Sequence, residues 1–274
     1  MKGTLYIVAT PIGNLEDITL RALRILKEAD VIAAEDTRHS QKLLSHYGIS
    51  KPLISYWGER EKVKAEEAVD MLLEGKSVAL ISDAGTPGIS DPGSVLIRRA
   101  IGENISIVPI PGPSAAVAAL SVSGLETGEF TFCGFLPPKE SRRRKELQRL
   151  EFEQRTLVFY EAPHRIMETL QDMEELFGER SVVVIKELTK MHEEVLRGTV
   201  SEVFDRLGDT KIAGEYVIVV AGKPAMERPG IHDALKEIET LMKKGLGRKE
   251  AVKKIAVAYS LSKKELYDRS LEGE

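Results

Sequence analysis

The sequence predicts an α/β protein built from two consecutive α/β domains, with a small helical unit behind them. Three observations predict this class. Short apolar runs of strand length alternate with stretches of helical periodicity through most of the chain. Two loops crowded with Gly, Pro and short polar residues each follow a strand-like run directly. Beyond Pro229 the strand-like runs stop and the chain becomes helical and basic.

Residues 4–9 read as a buried strand, and 17–27 carry Leu20, Leu23 and Leu26 at near-helical spacing. Residues 31–34 are a second strand. Over 59–74, Ala65, Ala68, Val69, Leu72 and Leu73 fall on one helical face, and Gly75 stops the helix. Strands at 77–81 and 105–110 complete a repeated β-α order that implies a largely parallel sheet. After a strand at 130–135, Leu136-Pro137-Pro138-Lys139-Glu140 interrupts the pattern, because proline neither continues a helix nor donates to a sheet ladder. The first domain is therefore expected at 1–135 and the second at 136–228. The second has strands at 156–160, 181–186 and 216–221, with a helix between the first two. A punctuated stretch, 222–230, leads into a third unit at 229–274. Within it, 248–271 reads as two short helices broken at Ser260-Leu261-Ser262, with Val252, Ile255, Ala256 and Tyr259 on one face. That pattern suits either a helix-turn-helix element or a small bundle.

The chain has 274 residues, 42% of them hydrophobic and 30% charged, a composition that folds. Cys133 is the only cysteine, which excludes an intrachain disulfide and a multi-thiolate zinc site. His39, His46, His164, His192 and His232 are dispersed, so no metal is expected. Every apolar run is far below the roughly 18 residues of a membrane span. The N-terminus enters a strand at once and leaves no room for an export signal, so a cytoplasmic protein without membrane contact is expected. With a net charge of −4, the surface as a whole does not attract polyanions. Two local patches differ: 139–145 reads KESRRRK, and 243–269 holds nine Lys or Arg against three acids. Both are solvated helix faces or contacts to RNA phosphates, and Arg143 and Lys253 stand for the second option.

The loop at 9–14, ATPIGN, lacks the glycines of a dinucleotide fingerprint, and Asp70 stands where a phosphate-binding loop ending at Gly75-Lys76-Ser77 needs glycine. Both nucleotide motifs are rejected. The richest loop is Ser82-Asp83-Ala84-Gly85-Thr86-Pro87-Gly88-Ile89-Ser90-Asp91-Pro92-Gly93, where glycines permit close approach to a ligand and prolines fix the shape. Asp91-Pro92 also reads as a helix cap and first helical residue. The second loop, Pro109-Ile110-Pro111-Gly112-Pro113-Ser114-Ala115-Ala116, precedes an Ala-rich helix that Ser114 is placed to cap. Both lie at the carboxyl ends of strands, where open α/β sheets bind ligands, and are expected to share one crevice.

The segments ATPIGNLEDITLRA, AEDTRHS, LISDAGTPGISDPG, PIPGPSAAVAAL, VFYEAPHR and GEYVIVVAG, in this order, resemble the tetrapyrrole methylase (class III methyltransferase) superfamily. Most closely they resemble its branch that methylates a cytidine 2′-oxygen in the decoding region of bacterial 16S ribosomal RNA. The resemblance implies an S-adenosyl-L-methionine cofactor folded between the two α/β domains, and commonly a homodimer. It implies 16S rRNA, within the small ribosomal subunit, as the partner. By the same resemblance Pro11, Ser82, Asp83, Ala84, Gly85, Ile89, Ser90, Ser114 and Ala115 line the cofactor from the first domain, and Tyr160 and Glu161 close over it from the second. Ser82-Asp83-Ala84-Gly85 departs from the Gly-Gly-Asp-Pro type of sequence in porphyrinogen methylases, which favours the RNA branch.

A ribose hydroxyl is weakly acidic, so a carboxylate or neutral lysine that takes its proton helps methyl transfer. Glu35, Asp36, Lys186 and Glu187, all at strand ends, are the candidates, and Arg38 is placed to grip a flanking phosphate. Each has a structural salt bridge as its alternative. His164 begins an expected helix and is the weaker choice. Three readings compete: an RNA 2′-O-methyltransferase, a small-molecule methylase acting on a tetrapyrrole, and a noncatalytic RNA-binding protein. The basic patches favour the first over the second, and cofactor binding separates the first from the third.

Overall fold

The structure is a computed structural model that describes residues 1–56, 61–224, 231–259 and 261–272. It forms two compact units, Met1–Gly222 and Lys223–Glu274. The start of the helix expected at 59, most of the punctuated stretch at 222–230 with the boundary at 228–229, and Ser260 lie outside the described residues.

The first half of the larger unit runs β1 (Thr4–Val8), α1 (Leu20–Glu28), β2 (Val31–Ala34), α2 (Thr37–His46), β3 (Leu53–Ser55), α3 (Glu61–Leu73), β4 (Val78–Ile81), α4 (Ser94–Gly102), β5 (Ser106–Ile110) and α5 (Ala115–Ser123). Its sheet has the order β3-β2-β4-β1-β5 with every pair parallel. All residues of β2 and β4 are buried, because a parallel sheet is covered on both faces. One core holds Leu5, Val69, Leu72, Leu80 and Leu96; the other holds Val8, Leu26, Ile32, Leu44 and Ile81.

The second half runs β6 (Phe130–Phe135), α6 (Glu140–Leu150), β7 (Thr156–Glu161), α7 (Ile166–Phe177), β8 (Ser181–Lys186), β9 (Glu194–Thr199), α8 (Val200–Gly208) and β10 (Tyr216–Val220). Its sheet has the order β6-β7-β10-β8-β9, parallel only between β6 and β7. Helix α5 packs on this second sheet: Ala116, Ala119 and Leu120 share a core with Val158, Val183, Ile185, Val217 and Val219. The chain segment that leaves the first sheet thus anchors on the second, which brings the strand ends of both sheets to one place.

Helix α6 forms across the KESRRRK patch and turns Arg143 inward and Arg144 partly so, while Arg142 stays exposed. Arg143 is only 2% exposed. Its Nε donates to Asp172 at 2.6 Å and its Nη1 to Glu168 at 3.2 Å, while Arg144 reaches Asp172 at 2.7 Å and Glu175 at 2.6 Å. A buried guanidinium requires such paired acids. The expectation that Arg143 contacts RNA is therefore corrected: it ties α6 to α7.

The smaller unit packs α9 (Ile231–Lys243), α10 (Arg248–Ala258) and α11 (Lys263–Glu272) around Ala234, Ile238, Val252, Ile255, Ala256 and Leu266. Three helices sharing a core make a bundle, and the α10–α11 pair is its last corner. Among the described residues no helix is long and apolar enough to cross a membrane.

Candidate active site

One cavity of about 530 Å³ collects the carboxyl ends of strands from both sheets. Its size falls in the range of roughly 300–1,000 Å³ usual for small-molecule sites. Its wall from the first sheet is the loop after β4. Thr10 and Gly85 exchange backbone hydrogen bonds at 2.8 and 3.1 Å, and the Thr10 hydroxyl donates to the Ser82 carbonyl at 3.1 Å. These bonds clamp the loop to the end of β1. Gly85 sits at φ +79°, a conformation that a side chain disfavours. The Thr86 hydroxyl donates to the Pro113 carbonyl at 3.4 Å, joining this loop to the one before α5.

The opposite wall comes from the second sheet. The Tyr160 hydroxyl accepts the backbone N–H of Ala116 at 3.1 Å, satisfying one open donor of the first turn of α5. Ser114 occupies the cap position, but its side chain makes no capping bond. Phe132 and Phe135 pack edge-on against Tyr160, with ring centroids 5.0 and 5.6 Å away. Burial pushes the Tyr160 hydroxyl above its ordinary pKa.

The lining is mostly apolar, and its charged residues are all acids. Glu35, Asp83, Asp91, Glu161 and Glu215 are among the lining residues, and no Lys, Arg or His joins them among the described residues. The Glu35 carboxylate accepts the Asp83 N–H at 3.3 Å, and Asp83 accepts the Asp36 N–H at 3.1 Å, so the ends of β2 and β4 are cross-linked. Burial raises the Glu35 pKa, with the Asp83 N–H opposing and the Asp83 and Asp36 charges adding to the rise. Burial together with the Glu35 and Asp83 charges pushes Asp91 up to about 6, against a Ser82 hydrogen bond that lowers it. The carboxylate of Glu161 is turned away into the first turn of α7, bound by the Ala162 N–H at 2.8 Å, Thr169 Oγ1 at 2.8 Å and Arg165 at 2.7 Å.

Among the residues expected at the cofactor, Asp83, Ala84, Gly85, Ile89, Ser114, Ala115, Tyr160 and Glu161 line this cavity. Pro11, Ser82 and Ser90 do not; Pro11 and Ser82 are buried behind the wall, and Ser90 is exposed. Of the candidate proton acceptors only Glu35 lines it. Asp36 caps α2, accepting the Arg38 N–H at 2.8 Å, and Arg38 itself is exposed beside it. Lys186 Nζ donates to the Lys211 carbonyl at 2.7 Å. Glu187 is closed by Lys190 at 2.8 Å and the Glu215 N–H at 3.0 Å. Lys253 lies exposed on α10 in the smaller unit. Sequence reasoning missed Asp91, Phe135 and Leu188 as lining residues. The reading of Asp91 as a helix cap is corrected: α4 starts at Ser94 and its cap position is Gly93, at φ +139°.

The profile of the family described as Tetrapyrrole (Corrin/Porphyrin) Methylases matches residues 4–203. The chain belongs to the tetrapyrrole methylase family. Among its relatives, the ribosomal RNA small subunit methyltransferase I of Halalkalibacterium halodurans is 45% identical over 272 residues, covering 97% of this chain and 94% of the relative. The protein of the same name from Synechocystis sp. is 46% identical over 275 residues, covering 99% of each. Among solved structures, the cobalamin biosynthetic enzyme cobalt precorrin-4 methyltransferase superposes with a TM-score of 0.57 at 19% identity, covering 80% of this chain and 94% of its own. Uroporphyrin-III C-methyltransferase from Thermus thermophilus, complexed with S-adenosyl homocysteine, gives 0.57 at 18% identity, covering 80% and 97%. These tetrapyrrole methylase structures share the fold of two α/β halves.

Proposed function

We propose that this chain is an S-adenosylmethionine-dependent methyltransferase that methylates the 2′-hydroxyl of a cytidine ribose in the decoding region of 16S rRNA. The methyltransferase class follows from family membership. The observation that carries the reading further is the cavity, which is walled by acids and aromatic rings and has no basic lining residue among the described residues. A ligand with a cationic centre and an apolar body fits that chemistry; a phosphate-bearing nucleotide does not. When bound, S-adenosylmethionine supplies a methyl group on a cationic sulfur that leaves as a neutral thioether. Asp83 and the backbone from Ala84 to Gly85 would hold it from one side, and Ser114, Ala115 and Tyr160 from the other. These residues would bind and orient it, which is most of the work when the leaving group is already good. An acceptor in small-subunit ribosomal RNA is supported by the names of the relatives and by the exposed basic residues of α10, which suit RNA phosphates; the cytidine 2′-hydroxyl within it rests on the resemblance of the loop motifs.

The test supplies the protein with methyl-labelled S-adenosylmethionine and small ribosomal subunits that lack ribose methylation, then maps the label. Label on a cytidine 2′-oxygen of the decoding region is expected. Label on a base, or none on either the subunit or its naked RNA, overturns the assignment.

A further inference from the structure

We infer that Asp91 is the group that receives the proton of the acceptor hydroxyl, set in place by a strained turn at Ser90. This rests on the methyltransferase reading above and names a residue it left open.

The geometry singles out Asp91 by elimination and by construction. Every other acid at the cavity is engaged. Glu35 and Asp83 are tied to backbone N–H groups across β2 and β4. Glu161 is bound within α7, and Glu215 is held by Lys190 at 3.0 Å. The Asp91 carboxyl, half-buried at the cavity wall, is tied to no backbone N–H or cation among the described residues; it faces the Ser82 hydroxyl, which itself donates to the Ala84 carbonyl at 3.2 Å.

Its placement is built. Ser90 holds φ +63°, a left-handed conformation that is costly for a non-glycine residue. The Ser90 side chain lies against Gly134, where a Cβ would come within 3.0 Å of Ser90 Oγ. Gly134 is itself left-handed, at φ +64°, in the irregularity where the β6–β7 register shifts. The two left-handed residues therefore meet, and the next residue of each segment, Asp91 and Phe135, lines the cavity. The strain turns Asp91 toward the crevice rather than toward the helix that follows.

The chemistry balances. As the ribose oxygen forms its bond to the methyl carbon, the carbon–sulfur pair stays on sulfur and the O–H pair stays on oxygen. The proton passes to an Asp91 carboxylate oxygen and is later lost to water. Such a base works best when its pKa lies near the working pH. Burial and the charges of Glu35 and Asp83 put Asp91 at about 6, so most of it is ionised at neutral pH yet more basic than an ordinary aspartate. The groups facing it are Glu35 from the end of β2, Asp83 from its own loop, and Tyr160 from β7.

The experiment compares wild type with Asp91→Asn in single-turnover methylation of small subunits across pH, beside calorimetry of S-adenosylhomocysteine and carboxyl-carbon NMR of the cofactor-free protein. Asp91→Asn is expected to slow the methylation step by about 10²–10⁴-fold, the usual reach of a general base, with S-adenosylhomocysteine affinity little changed. The wild-type rate should climb below an inflection near 6, and that inflection should vanish in the variant. The carboxyl signal missing from Asp91→Asn should titrate near 6 in wild type, and Glu35→Gln should lower its midpoint. Equal turnover of Asp91→Asn and wild type overturns the assignment while leaving the methyltransferase reading intact. So does a variant that loses cofactor affinity but not the rate at saturation, which would make Asp91 a cofactor ligand. No methylation by wild type sinks both.

Discussion

At the scale of single residues, the site keeps three carboxylates close together, and the fold bears the consequence. Asp91 is raised to about 6 in the folded chain, while an unfolded aspartate titrates near 3.8. The folded state therefore binds more protons between those values, so this group's contribution to stability falls as pH rises from about 4 to about 6. Replacing Asp91 with Asn removes the charge and keeps the shape. The variant should be more stable than wild type at pH 7 by about 1 kcal/mol, after discounting for the half of the side chain that water screens. The gain should vanish by pH 4. Urea denaturation at both pH values measures it; equal midpoints at pH 7 would mean that the carboxylate is not strained. Such a gain on removing a functional group is the usual sign of a site selected for chemistry over stability.

At the scale of elements, what could be read from sequence depended on whether local pattern and tertiary role agreed. The apolar runs of β2 and β8 are read at their observed bounds, because strands buried on both faces have no other composition. β9, Glu194-Val195-Leu196-Arg197-Gly198-Thr199, is an edge strand with mixed polarity, and β3 is only three residues long; neither carries a periodic signal. The two loops that wall the cavity from the first sheet are legible from Gly and Pro density. Asp91 was not, since Asp-Pro before an apolar stretch is also the signature of a cap, and only Gly93 at φ +139° moves the helix start beyond it. The basic run of α6 failed for a different reason: charge says nothing of direction, and its partners Glu168, Asp172 and Glu175 lie about 30 residues on. Arg143→Met should destabilise the protein by about 3 kcal/mol, by leaving Asp172 buried with Arg144 alone. Arg143→Met with Asp172→Leu should recover much of that. Methylation per folded molecule should match wild type in both; a selective loss of RNA affinity in Arg143→Met would restore the RNA contact to this residue.

At the scale of the whole molecule, charge is unevenly divided along the chain. The chain carries −4 overall and an acidic cavity, yet 243–269 holds nine bases against three acids. Folding of the smaller unit buries Val252, Ile255 and Ala256 of α10 and leaves Lys249, Lys253 and Lys254 exposed on the same helix. That amphipathic division would arise in any surface helix, so burial alone does not choose between a solvated face and a contact with RNA. Salt dependence does, because each phosphate neutralised releases counterions, whereas a solvated lysine releases none. Replacing Lys249, Lys253 and Lys254 together with Gln should weaken binding of the small subunit and reduce the slope of log affinity against log salt by about 0.7–0.9 for each phosphate no longer neutralised. S-adenosylhomocysteine affinity and the thermal midpoint should stay as in wild type, since none of the three lysines lines the cavity or is buried. An unchanged slope with unchanged subunit affinity would assign these lysines to solubility and return the RNA contact to other residues of the chain.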